Sequence, residues 1–108
     1  MKRSILEVAR VIRSKNAGPY ELTLDILFKR RRDFELCRKR RWITGAKIAR
    51  LYGVPRSHIL KVIWFEPSHA VKITMKRRIP SGAPGDSDVY GAQQHAPLLG
   101  LRFGGSSR

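Results

Sequence analysis

Cysteine is nearly missing from this chain. Cys37 is the single thiol among 108 residues, which excludes an intramolecular disulfide and leaves no second thiol for a soft metal site. It stands in FELCRKRR, where neighbouring cations can lower a thiol pKa and where a half-buried structural cysteine is the plainer reading. Acids are also scarce, eight Asp and Glu against 23 Lys and Arg, so anionic partners are expected. No apolar run approaches the roughly 20 residues that cross a bilayer. Glu7, Arg10 and Arg13 break the N-terminal apolar stretch, so neither a membrane span nor a signal peptide is expected, and the cytoplasm is the default location. A G-x-x-x-x-G-K phosphate loop and a G-x-S-x-G elbow are both absent, which removes those templates. His58, His69 and His95 have no mutual ligand spacing, so no metal site is assigned. No internal repeat is present.

What is there is one modest core's worth of chain. Residues 1–103 are expected to form a single domain, with 104–108 as a flexible tail. The formal net charge is +15, and phosphate-rich partners release counterions to such a chain. KRRR at 29–32 and RKRR at 38–41 hold eight of the 23 basic side chains. The charge is therefore partly general and partly one local surface, as in a nucleic-acid binder or a module docking onto an acidic subunit.

Periodicity gives the order of elements. ILEVARVI at 5–12 is too short and irregular to separate strand from helix. Asn16, Gly18 and Pro19 signal a turn, after which ELTLDILF alternates with Leu22, Leu24, Ile26 and Phe28 on one face and Thr23, Asp25 and Leu27 on the other. Asp25 is read either as an exposed strand residue or as a site residue. The spacing of Phe34, Leu36, Cys37 and Arg41 predicts a basic amphipathic helix within 29–41. Thr44 can cap a second helix, AKIARLY, which Gly53 and Pro55 end. ILKVIWF and AVKITMKR then read as a hairpin through EPSH, with Val71, Ile73 and Met75 opposite Lys72, Thr74 and Lys76. The expected fold is α+β, a small antiparallel sheet with two helices in β-β-α-α-β-β order.

Two segments carry the functional signals. PGDSDVYGAQQHAPLL at 84–99 gathers Asp86, Asp88, Tyr90, Gln93, Gln94 and His95 between glycines and prolines that forbid a regular helix, with Val89, Leu98 and Leu99 as apolar anchors. His95 suits proton transfer near neutrality, Tyr90 can donate to an oxyanion, and Lys15 or Lys72 can hold a carboxylate. The paired Asp86 and Asp88 can chelate a hard cation, although Asp-x-Asp is also common in turns. The second signal lies at 44–62, where Ala49, Gly53, Val54 and Ile59 have helix-turn-helix spacing and Arg56, Ser57, His58 and Lys61 would face a groove. This segment carries the alternative reading, a basic nucleic-acid-binding module.

Three blocks, VIRSKNAGPYELTLDILF at 11–28, AVKITMKRRIPSG at 70–82 and GDSDVYGAQQHAPLL at 85–99, together resemble the family of domain of unknown function 4387. The resemblance implies a small stand-alone partner of a large acyclic terpene utilization family protein, linked to hydratase or lyase-like metabolism of carboxylic acids and acyl-CoA compounds. RSKNAG resembles an RSGDKG stretch in the small C-terminal domain of related fused proteins, which is ferredoxin-like, and a similar fold is implied here. In the family pattern the segment after TLDILF is acidic, whereas this chain has KRRRDFELCRKRRW, so the charge belongs to a variable face.

The leading expectation is a small subunit or accessory domain of a hydro-lyase-type enzyme, completing an anionic substrate's site at the interface with a large subunit. Arg13, Ser14, Lys15, Asn16, Gly18, Lys72, Thr74, Gln93 and Gln94 are its expected substrate-binding residues. Asp25, Asp86, Asp88, Tyr90 and His95 are the candidates for proton transfer or metal support. The sequence specifies no cofactor, and a homo-oligomer is compatible with it.

Overall fold

The computed structural model describes residues 2–77 and 96–104, and for Lys2, Arg3, Ala96 and Gly104 the backbone alone. A four-stranded antiparallel sheet is built from β2 (Ala9–Asn16), β3 (Glu21–Phe28), β4 (Ile59–Phe65) and β5 (Ala70–Lys76), in spatial order β2-β3-β5-β4. Two hairpins thus place their second strands side by side at the centre. Between them run the helices α2 (Arg31–Lys39) and α3 (Gly45–Tyr52). The β-β-α-α-β-β order is therefore present, framed by a one-turn helix α1 (Ile5–Val8) and a two-stranded pairing of β1 (Lys2–Ser4) with β6 (Arg102–Gly104). The likeness to a ferredoxin-like fold rests on the antiparallel sheet with helices; the chain order differs from β-α-β-β-α-β, because both helices fall between the hairpins.

The ambiguous 5–12 stretch is both things in turn. Ser4 caps α1 by accepting from the Leu6 N–H, and the Glu7 carboxylate accepts from the Ser4 N–H, a capping box that stops the chain from entering β2 until Ala9. Past it, alternation takes over. Leu24 and Ile26 of β3 lie opposite Ile73 and Val71 of β5, and all four are fully buried. Ile12 of β2 lies opposite Ile26, and Val62 and Trp64 of β4 lie opposite Ile73 and Val71. These residues form one apolar face.

Both helices pack on that face. α2 buries Phe34 and Cys37, and its Asp33 in the first turn and Arg38 and Lys39 in the last suit the helix dipole. The Phe34 ring meets Phe28 and Trp64 edge-on at 6.1 and 5.7 Å. Arg41 (φ 55°) turns the chain from α2 towards α3. Thr44 Oγ1 accepts from the Lys47 N–H at the start of α3, and Gly53 (φ 66°) ends it in the left-handed region that an L side chain resists. Ile48 and Ala49 carry α3 into the same core, and Trp42 stacks flat on Phe103 of β6 at 5.7 Å. β6 runs to Gly104, and residues 105–108 of the expected tail lie outside the described residues.

The strand expected over ILKVIWF is present as β4, and the alternative helix-turn-helix reading of 44–62 is overturned. Where helix-turn-helix spacing predicts a second helix from Arg56, the chain makes a single 3₁₀ turn (Arg56–His58) and enters β4. The β-branched and aromatic run Val62, Ile63, Trp64, Phe65 favours a strand, and Ile59 pins that strand rather than a recognition helix. Among the described residues, no helix is long and apolar enough to cross a membrane.

Candidate functional site

The face of the sheet opposite the helices is polar from Asp25 to the β2–β3 turn and apolar around Val11, Leu27, Ala70, Ile63 and Phe65, and cross-strand register assembles it. Arg13 of β2 lies opposite Asp25 of β3, and Asp25 lies opposite Lys72 of β5. The next row places Lys15 opposite Thr23, Thr23 opposite Thr74, and Thr74 opposite Lys61 of β4. Glu21 and Lys76 continue the pattern at the turn end of the hairpin. Five cations thus share the face with two carboxylates, a strongly positive surface for an anion.

Asp25 is the unusual member. Its neighbours on β3 and β5 leave it only 3 % exposed, so the reading of an exposed strand residue does not hold. Arg13 Nε donates to Asp25 Oδ2 at 3.2 Å from a side chain that is itself 60 % exposed. The other oxygen, Oδ1, is buried and has no hydrogen-bond partner among the described residues. A buried carboxylate normally satisfies both oxygens, because an orphaned acceptor costs about 1–3 kcal/mol. Thr23, beside it on the same face, is also buried.

The expected site residues divide between the two faces. Arg13, Lys15, Asp25, Lys72 and Thr74 come together on the polar face, although they come from three strands. Ser14 and Asn16, lying between Arg13 and Lys15 or just beyond, fall on the helix side by alternation. Ser14 is buried there, and Asn16 Oδ1 accepts from Arg77 Nη1 at 2.6 Å, which ties β2 to the chain leaving β5. Gly18 sits in the β2–β3 turn at φ 127°, and its role there is conformational, because a side chain would be strained. Asp86, Asp88, Tyr90, Gln93, Gln94 and His95 lie outside the described residues.

Sequence reasoning misses Thr23 and Lys61 as members of this surface. Alternation already places Thr23 beside Asp25; Lys61 is hidden because helix-turn-helix spacing assigns it to a groove-facing helix. Among the described residues, no group of three or more His, Cys, Asp or Glu side chains is placed to hold a metal ion.

Residues 5–102 match the family model described as "Domain of unknown function (DUF4387)". The chain belongs to that family. The match spans β2 through β5, so every strand of the polar face lies inside the DUF4387 region. No curated protein and no solved structure matches the chain.

Proposed function

We propose that this DUF4387 chain is a small accessory subunit of a hydro-lyase or hydratase-type enzyme, and that its polar sheet face helps bind a carboxylic acid or acyl-CoA substrate against a large acyclic terpene utilization family subunit. The observation that carries the reading is Asp25: a carboxylate buried among cations, with one oxygen on Arg13 and the other unpartnered among the described residues. A fold gains nothing in stability from such a group, and buried polar atoms left unsatisfied concentrate where function needs them. Arg13, Lys15 and Lys72 supply charge-assisted hydrogen bonds to substrate oxygens. Asp25 holds the exposed Arg13 guanidinium in place for a substrate oxygen, and Thr23 and Thr74 lie beside it on the same face. Ile63 and Phe65, each 47 % exposed on the same face of β4, give a partner apolar surface beside the charges.

Co-expression with the large subunit tests this. Turnover of an acyl-CoA or carboxylic acid substrate is measured with the large subunit alone, with the complex, and with complexes carrying Lys15→Met or Lys72→Met. The expected result is activity that needs the small chain and a raised KM in either variant. Equal turnover by the large subunit alone overturns the proposal.

A further inference from the structure

The segment with helix-turn-helix spacing folds into something else: a cleft of about 330 Å³ between the start of α3 and the edge strand β4. This is at the small end of the roughly 300–1,000 Å³ of ligand pockets. Its wall includes Arg41, Thr44, Gly45, Arg56, Lys61 and Trp64, and among the described residues no carboxylate lines it. Three cations therefore converge on one concavity without a counter-charge in its wall. Their mutual repulsion is relieved by an anion placed between them.

The central cation is fixed in place. Arg56 Nη1 donates to the Ile59 carbonyl at 3.0 Å, and its guanidinium lies against Gly45, where an added Cβ would fall 2.6 Å from Cζ and Nη2. A guanidinium presents five donors in a planar fork, and among the described residues Ile59 is the one acceptor that Arg56 has. Glycine at 45 is thus required for Arg56 to lie where it does, and Arg56 retains donors for a second partner. A planar fork with unused N–H groups matches phosphate oxygens bidentately.

We propose that this cleft is a binding site for a phosphorylated small molecule, adjoining the polar sheet face at Lys61, with Arg56 as the phosphate clamp and Arg41 and Lys61 as flanking charges. Trp64 and the Leu60 side chain, 40 % exposed, give the non-phosphate part of the ligand an apolar wall. Concavity favours a small molecule over a duplex, since groove reading needs a protruding element and the chain here has a recess.

The test is calorimetric titration of the full chain with pyrophosphate and with phenyl phosphate, at fixed ionic strength near physiological. Saturable one-to-one binding is expected, tighter for whichever probe uses the cleft better. Arg56→Gln should weaken it about ten-fold or more, as loss of a charged hydrogen bond implies. Gly45→Ala should weaken it too by displacing the guanidinium, and Arg32→Gln, on α2 away from the cleft, should leave it unchanged. Arg56→Lys keeps the charge and loses the fork, so it carries the test if Arg56→Gln does not fold; it too should bind less tightly. Equal weakening by Arg56→Gln and Arg32→Gln means diffuse attraction and overturns the site. So does a mixed-sequence DNA duplex that binds more tightly than either probe and is itself insensitive to Gly45→Ala. These variants leave Arg13, Asp25 and Lys72 intact, so failure here does not touch the accessory-subunit reading.

Discussion

Replacing Asp25 with valine should make the protein more stable. The side chain is of similar size, β-branched and suited to a central strand, and the substitution removes the orphaned Oδ1, which costs about 1–3 kcal/mol where it is. Against that gain stands the lost ion pair with Arg13. The Arg13 side chain is 60 % exposed, so the pair is solvent-screened and contributes at most about 1 kcal/mol. The balance favours Asp25→Val by about 1–2 kcal/mol. In urea, with a slope of about 1–3 kcal/mol/M for a small protein, the midpoint should rise by about 0.3–2 M, and the melting temperature by about 4 °C or more for each kcal/mol. Arg13→Met should act in the opposite direction in the parent, because it strands a buried carboxylate. In the Asp25→Val background it should be nearly neutral, and the double-mutant cycle reads that difference directly. A loss of about 1 kcal/mol or more on Asp25→Val would refute the reasoning, since it would mean that Oδ1 has a stabilising partner. A gain accompanied by loss of turnover in the complex is the trade expected of a residue retained for function.

Burial pushes the Tyr52 phenol well above its usual value of 10.0. The folded state then holds a proton that the unfolded chain releases, so stability should be constant below about pH 10 and fall as pH rises beyond it. Alkaline unfolding followed by tyrosinate absorbance should show Tyr52 ionising only as the fold is lost, and Tyr52→Phe should reduce the alkaline loss; an unchanged pH profile in that variant sinks the assignment. Thr44→Ala removes the side-chain acceptor for the Lys47 N–H and should cost about 1 kcal/mol in urea unfolding. A cost within error would mean that the cap is redundant with Lys47 Nζ, which donates to the Arg41 carbonyl at 3.1 Å.

Much of the sheet is legible in the sequence because alternation is a two-residue signal that a short strand can carry. Leu22, Leu24, Ile26 and Phe28 declare the core face of β3, and Thr44 declares the start of α3, since caps are local chemistry. The α1 turn is also written locally, as Ser4 with Glu7 three residues later, but four residues of helix leave no periodicity to notice. The β1–β6 pairing joins segments about a hundred residues apart, and three-residue strands have too little pattern to announce a partner. Helix-turn-helix spacing misleads because Ala49, Gly53 and Val54 do form a helix exit in either fold. Beyond Pro55 the path of the chain is settled by strand propensity and by β5 as a waiting neighbour, and the second of these is not local.

The site divides in the same way. Residue type marks Arg13, Lys15, Asp25 and Lys72 as candidates, but that they share a face depends on the register between β2, β3 and β5. Ser14 and Asn16 belong to the same RSKN run and lie on the other side. The burial of Asp25 is illegible, because an acid on the polar face of a strand ordinarily meets water. Arg56 and Gly45 are eleven positions apart, and only the return of the chain past α3 lays the guanidinium where an added methyl group would displace it.

Because β1 and β6 are antiparallel, with Lys2 opposite Gly104, the chain enters and leaves this fold at neighbouring points about one strand spacing apart. Tension on the two flanks would load that ladder one rung at a time, as a zipper opens, and would not shear the four-stranded sheet behind it. The same closeness makes the module easy to carry within a longer chain or to permute: a short linker across Lys2 and Gly104 would close the circle, leaving the cut to be made at an exposed turn such as Gly18.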